Sequence, residues 1–268
     1  NRNIVIELRK AGVQVFPFYK IKFFFLADRY NYRDHRKIII VDGKVGFLGG
    51  INVSDRYINT RANKLYWRDT HLKIEGEAVY SLQYLFLSNW NFCCDERPEI
   101  SQDFFPRLVK DENSQLVQIT ASGPDSERPG IMLSYFTAIS TAKKELFLTS
   151  PYFIPGESIL DAIRKAALSG VDVRILIPGI SDSTIVNLAS HSYYTMLLEC
   201  GVRIFQYKKG FVHAKTMVVD DSLSIVGTAN MDLRSFDLNF EAIAIVYDEK
   251  INAALKSAFM EDLHESEE

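Results

Sequence analysis

Asp34 to Asn52 reads DHRKIIIVDGKVGFLGGIN. It places His35, Lys37 and Asp42 close together, with the apolar run Ile38 to Val41 between the lysine and the aspartate. Such a β-branched run predicts a buried strand. Side chains alternate along a strand, so His35 and Lys37 face the same way and offer an imidazole beside an ammonium. A second apolar run, Val45 to Leu48, leads into Gly49, Gly50 and Asn52, which can bring backbone and an amide to the same place.

The stretch occurs twice. From Val212 the chain reads VHAKTMVVDDSLSIVGTAN, and His213, Lys215, Asp220, Gly227 and Asn230 match His35, Lys37, Asp42, Gly49 and Asn52 at one constant offset. The phrase AGVQVF before the first copy returns as CGVRIF before the second, a second layer of the same internal repeat. The first copy carries extra residues between phrase and motif, within the aromatic and basic segment Pro17 to Arg33. That segment reads either as a hairpin whose phenylalanines join the core or as a loop that meets a bilayer, with Lys20, Lys22 and Arg29 near head groups.

Outside the repeat, Val13 to Phe16 and Leu65 to Ile74 read as strands, and Ser183 to Glu199 as one helix. Asn239 to Tyr247 is the last core strand, Lys250 to His264 the last helix, and the acidic tail after it is expected to fray. Strands alternating with helices predict an α/β protein with a mixed, largely parallel sheet in each half. The halves are assigned to residues 1–94 and 116–268, with a Pro-, Asp- and Ser-rich linker over 95–115. The second half has strands and helices ahead of its motif that the first half lacks. The expectation is therefore an N-terminally incomplete first half, with further chain upstream and an unpaired sheet edge.

Composition is that of an ordinary globular protein, 47% hydrophobic and 24% charged, with a formal net charge of −3. There is no global basic field, so no nucleic-acid partner is expected. Three cysteines, two of them adjacent, make no disulfide framework, and no metal-binding spacing appears.

Two histidines on equivalent strands suit a two-step displacement. One attacks an electrophile and becomes covalently linked; the other protonates the leaving group and then deprotonates the acceptor. Lys37 and Lys215 suit an anionic electrophile, and Asn52 and Asn230 add neutral donors to the same phosphate oxygens. No GxSxG elbow is present, so phosphoryl chemistry fits better than acyl transfer. Each histidine needs an orienting partner, and Asp69 and Glu241 stand at similar positions downstream of the two motifs. Asp42 and Asp220 sit beside turn residues and read equally as catalytic or as turn and ion-pair residues.

Together, HRKIIIVD…GGIN and HAKTMVVD…GTAN resemble the signature of the phospholipase D superfamily. The phrases NYRDHRKI, WRDTHLKIEG, SPYFIP, GVDVRILIPG and RSFDLNFE resemble the cardiolipin synthases within it. The resemblance implies a pseudo-twofold pair of α/β/α sandwich halves enclosing one active site within a monomer. It implies a bacterial membrane enzyme that makes cardiolipin from two phosphatidylglycerol molecules and releases glycerol, with no metal or organic cofactor. His35 would attack, His213 would protonate the leaving glycerol, and the acids would cross over, Glu241 to His35 and Asp69 to His213. A phospholipase D-type hydrolase or a nuclease using the same histidines is the alternative.

Overall fold

The computed structural model describes residues 2–18, 31–60, 65–94, 97–108 and 114–268. Helix α1 (Arg2–Lys10) is followed by strands β1 (Arg33–Asp34), β2 (Ile38–Val41) and β3 (Val45–Gly49). A 3-10 turn (Asp55–Ile58), β4 (Tyr66–Arg68), β5 (His71–Glu75) and α2 (Ala78–Cys93) complete the first half. The second half runs β6 (Leu116–Ser122), α3 (Gly130–Thr141), β7 (Glu145–Thr149), β8 (Phe153–Ile154), α4 (Glu157–Leu168), β9 (Asp172–Pro178), α5 (Thr184–His191) and α6 (Tyr194–Glu199). It continues with β10 (Arg203–Tyr207), β11 (Gly210–Val212), β12 (Thr216–Val219), β13 (Leu223–Gly227), β14 (Met231–Asp232) and α7 (Leu233–Asp237). It ends in β15 (Asn239–Tyr247), α8 (Glu249–His264) and β16 (Ser266–Glu267).

The main sheet is mixed. β7, β9 and β10 are parallel, while β12, β13, β15 and β6 join antiparallel. One face lies under α3 and α4, where Ile131, Tyr135, Ile139, Ile163, Met217 and Ile243 are buried together. The opposite face carries α8, with Phe147 stacked on Phe259. The first half contributes a three-stranded sheet, β2-β3-β5. Its Leu48 and Ile74 and the α2 residues Val79 and Leu82 pack on Ala242, Ala244 and Val246 of β15. Alanines at that seam let the two layers approach closely.

The local sequence explains the element ends. Ser183, Asp232 and Asp248 accept backbone N–H bonds at the starts of α5, α7 and α8, each such cap being worth about 1 kcal/mol. Gly170 and Gly201 follow α4 and α6 at φ near +90°, where a side chain would be strained.

Four expectations change. The strand read over Leu65 to Ile74 breaks at Asp69–Thr70, because β4 leaves to pair with β11 of the second half while β5 pairs with β3. The helix read over Ser183 to Glu199 is two helices, and at the break Ser192 Oγ donates to the Ala189 carbonyl. Val13 to Phe16 is not a strand: its repeat partner β10 is held between β9 and β16, and no strand flanks Val13 to Phe16 among the described residues. The acidic tail does not fray but forms β16, antiparallel to β10, with Glu268 on Arg203, Glu267 on Lys208 and Glu265 on Lys209. Most of the aromatic insert, with Lys20, Lys22 and Arg29, lies outside the described residues. Phe18 lies within them and packs edge-on against Phe240.

Candidate active site

Each half sends a strand into the other. β1, leading to the first motif, pairs in parallel with the start of β15, which follows the second motif; β11, leading to the second motif, pairs in parallel with β4, which follows the first. Both pairs end alike. His35 N–H donates to the Phe240 carbonyl at 3.0 Å, and His213 N–H donates to the Arg68 carbonyl at 2.7 Å. The residues after those carbonyls are Glu241 and Asp69. Backbone pairing thus delivers each carboxylate to the histidine of the opposite half. His35 Nδ1 lies 2.8 and 3.0 Å from the two Glu241 oxygens, and His213 Nδ1 lies 2.8 Å from Asp69 Oδ2.

Sheet register settles the equivalence of the two acids. Gly49 pairs with His71 and Gly227 with Ile243, so Asp69 and Glu241 occupy the same place, two residues earlier. The glycines are needed there: a Cβ on Gly49 would fall 2.5 Å from the Thr70 carbonyl, and one on Gly227 2.6 Å from the Ala242 carbonyl.

The lysines repeat as well. Lys37 Nζ donates to the His35 carbonyl at 2.6 Å, and Lys215 Nζ donates to the His213 carbonyl. Lys215 Nζ also lies 2.9 Å from His213 Nδ1. Burial pushes the Lys37 ammonium down to about 8 and the fully buried Lys215 down to about 7, against the pull of Asp69 and Glu241 on both. Charges from both halves therefore converge on one place. Burial and the Lys215 charge push the His213 imidazole down to about 4, outweighing Asp69.

Asn230 is buried, with no partner for its Oδ1 among the described residues and its backbone N–H donating to Ser235 Oγ. Asn52 is exposed and donates from Nδ2 to the Tyr57 hydroxyl at 2.9 Å. The catalytic expectation for Asp42 and Asp220 is redirected by their positions. Both lie at the far ends of β2 and β12 from the imidazoles, at φ near +50°. The Asp220 carboxylate accepts the backbone N–H groups of Lys143, Lys144 and Glu145, which fixes the entry to β7.

Several residues of the site were not legible in the motif. Thr228 Oγ1 and Asn239 Nδ2 donate to Glu241. The place of Thr228 in the first half belongs to Gly50, where a Cβ would meet Asp69 Oδ1 at 2.1 Å. Tyr57 contacts His213 Nδ1 at 3.0 Å. The repeat offset was the signal that could have flagged Gly50 and Thr228 as one position. His71, two residues beyond Asp69, has its Nδ1 buried with no partner among the described residues.

Duplicated histidine–lysine pairs stand on this fold with carboxylates exchanged between halves, and the chain belongs to the phospholipase D superfamily. Within it, the similarity is to cardiolipin synthases. A family described as "Cardiolipin synthase, PLD-like domain" matches residues 135–263. The cardiolipin synthase of Geobacillus thermodenitrificans is 47% identical over 256 residues, which cover 96% of this chain and 51% of that protein. Cardiolipin synthase 2 of Bacillus anthracis is 44% identical over 268 residues, covering 100% of this chain and 52% of that protein. The chain thus spans about half the length of the curated relatives it matches. Among solved structures, the phosphatidylserine synthase of Haemophilus influenzae shares the fold, with a TM-score of 0.65 at 14% identity over 90% of this chain and 64% of that one.

Proposed function

We propose that this chain is the catalytic part of a phosphatidyltransferase that makes cardiolipin from two phosphatidylglycerol molecules. The observation that carries the reading is the pair of crossed imidazole–carboxylate contacts, flanked by Lys37 and Lys215, in a chain 47% identical to a cardiolipin synthase. His35 Nε2 attacks the phosphorus of one phosphatidylglycerol, and the glycerol oxygen leaves with a proton from His213. We assign the attack to His35 because its side chain is 29% exposed, against 8% for His213. The hydroxyl of a second phosphatidylglycerol gives its proton to His213 and displaces His35 from phosphorus, forming cardiolipin and restoring both rings. The bound anionic phosphodiester favours the protonated form of His213 in the first step. Lys37, Lys215 and the amides of Asn52 and Asn230 hold the non-bridging oxygens as charge develops. Glu241 and Asp69 fix the tautomers.

A membrane surface is the second partner in this reading, with the bacterial cell membrane as the location. Exposed aliphatic side chains would supply that contact: Ile51, Val53 and Ile58, which neighbour Asn52 and Tyr57 in the chain, form a rim, and Ile185 and Leu188 are exposed on α5. No helix among the described residues is long and apolar enough to cross a membrane.

The test is a full-length protein containing this chain, incubated with phosphatidylglycerol vesicles. Cardiolipin and glycerol are expected in equal amounts, and His35→Ala should abolish both. Phosphatidic acid without cardiolipin would make the protein a hydrolase. In the same vesicles, Val53→Asp with Ile185→Asp should weaken flotation; unchanged flotation would remove the rim from the membrane contact.

A further inference from the structure

Nδ1 of His213 is contested. Within hydrogen-bond distance lie an acceptor, Asp69 Oδ2 at 2.8 Å, a cation, Lys215 Nζ at 2.9 Å, and the Tyr57 hydroxyl at 3.0 Å. A carboxylate favours a proton on Nδ1, whereas an ammonium favours the lone pair there. The two demands oppose each other, and each selects a different tautomer. The tautomer decides what Nε2 presents to the substrate: a lone pair if Nδ1 carries the proton, an N–H if it does not.

His35 faces no such conflict. Its Nδ1 meets both oxygens of Glu241, and the Lys37 ammonium bonds to the His35 carbonyl. At the place of Tyr57 the second half has Ser235, whose hydroxyl accepts the Asn230 backbone N–H instead. The phenol therefore occurs in the half of the site where the lysine reaches the ring nitrogen.

We propose that Tyr57 is a positioning residue that resolves this contest in favour of Asp69. Its oxygen accepts from the Nδ1–H edge beside the carboxylate, and Asn52 Nδ2 donates to the same oxygen at 2.9 Å and fixes it there. Burial and Asp69 push the phenol up to about 12, which keeps it neutral and spares the site a second anion. The Tyr57 ring also packs on Trp67, and both rings lie against the imidazole, so the hydroxyl is held on a rigid wall. One consequence is a link between halves: the amide that Asn52 offers to phosphate is oriented by the group that orients His213.

The proposal rests on the transferase reading for its kinetic arm only. In the full-length protein, Tyr57→Phe keeps the ring and removes the oxygen. It should lower kcat about tenfold or more, as loss of an outer contact to a working histidine does, with KM for phosphatidylglycerol within about twofold. Combined with Asp69→Asn, its effect should be less than multiplicative, because both act through one nitrogen. The second arm needs no substrate: ¹⁵N spectra of histidine-labelled protein at neutral pH. Wild type should hold the His213 proton on Nδ1, and Tyr57→Phe should spread it over both nitrogens as Lys215 takes the lone pair. Failure of wild type to make cardiolipin would sink the transferase reading and leave the spectra to decide Tyr57. An unchanged tautomer with kcat within twofold of wild type would reduce Tyr57 to a packing residue.

Discussion

Around His213 the walls are aromatic, Tyr57, Trp67 and Phe211; around His35 the corresponding places hold Ser235, Asn239 and Arg33. The backbone of the two halves is the same at these points, down to the histidine N–H that donates to the carbonyl before each acid. The carboxylates differ in a compensating way. Glu241 is longer and is steadied by Thr228, whereas Asp69 is shorter and needs Gly50. The sheets behind them also differ. Met217 and Val219 of β12 are 0% and 3% exposed under α3 and α4, while Ile39 and Val41 at the matching places of β2 are 53% and 47% exposed. A duplicated half can thus keep its backbone pairing and its reactive groups while almost every supporting side chain changes.

Substitutions of the small residues at one repeat position should separate the two halves most strongly. Gly50→Ala drives a Cβ into Asp69 and should displace the carboxylate from His213, lowering turnover more than about a hundredfold. Thr228→Ala opens space beside Glu241 and removes one hydrogen bond, a loss of about tenfold. Cardiolipin formation by the two variants, measured side by side, decides the matter. If Gly50→Ala is as active as wild type, Asp69 is not held where the structure has it.

A smaller effect separates the two sheets. Met217→Ala empties a packed site and should cost about 2–5 kcal/mol in urea unfolding. Ile39→Ala removes an exposed side chain and should cost less than about 0.5 kcal/mol. Equal costs would mean that the face of β2 carrying Ile39 is covered in solution.

The repeat was legible because its chemistry and its strand pattern recur together: His35, Lys37 and Asn52 stand in one register with His213, Lys215 and Asn230. Asp69 and Glu241 were reachable as positions downstream of each motif. Their crossing came only from family resemblance, since nothing in a linear pattern says that β4 leaves its own sheet to pair with β11. The single strand read over Leu65 to Ile74 hid the break that carries Asp69. The roles of Tyr57, Thr228 and Gly50 depend on distances between segments far apart in the chain. Asp220 matched the motif yet serves a turn, because spacing along a strand does not tell which end faces the cleft. The tail forms β16 through ion pairs with Arg203 and Lys208, which its acidic composition alone did not suggest.

The two lysines should also differ in how they respond to pH. In the proposed reaction Lys215 and Lys37 must be charged to hold phosphate oxygens, and burial brings their proton loss to about 7 and about 8 in the free protein. kcat/KM should therefore fall as pH rises through this range, the more deeply buried Lys215 failing first. In the complex a phosphodiester anion stabilises both cations, so the fall in kcat should lie at higher pH than the fall in kcat/KM. His213 must carry the proton that the leaving glycerol takes and is held down near 4 in the free protein, so it adds a falling limb to kcat/KM that begins well below the lysines. Stability runs the other way. Between about 7 and the usual lysine value the unfolded chain keeps protons that the folded chain has shed, so these two groups make folding more favourable as pH rises. A protein whose kcat/KM falls more steeply above pH 7 than below it, while its unfolding midpoint holds or climbs, has lost lysine charge. One that loses both together is unfolding, and the assignment of Lys37 and Lys215 to the phosphate would then have no support from pH.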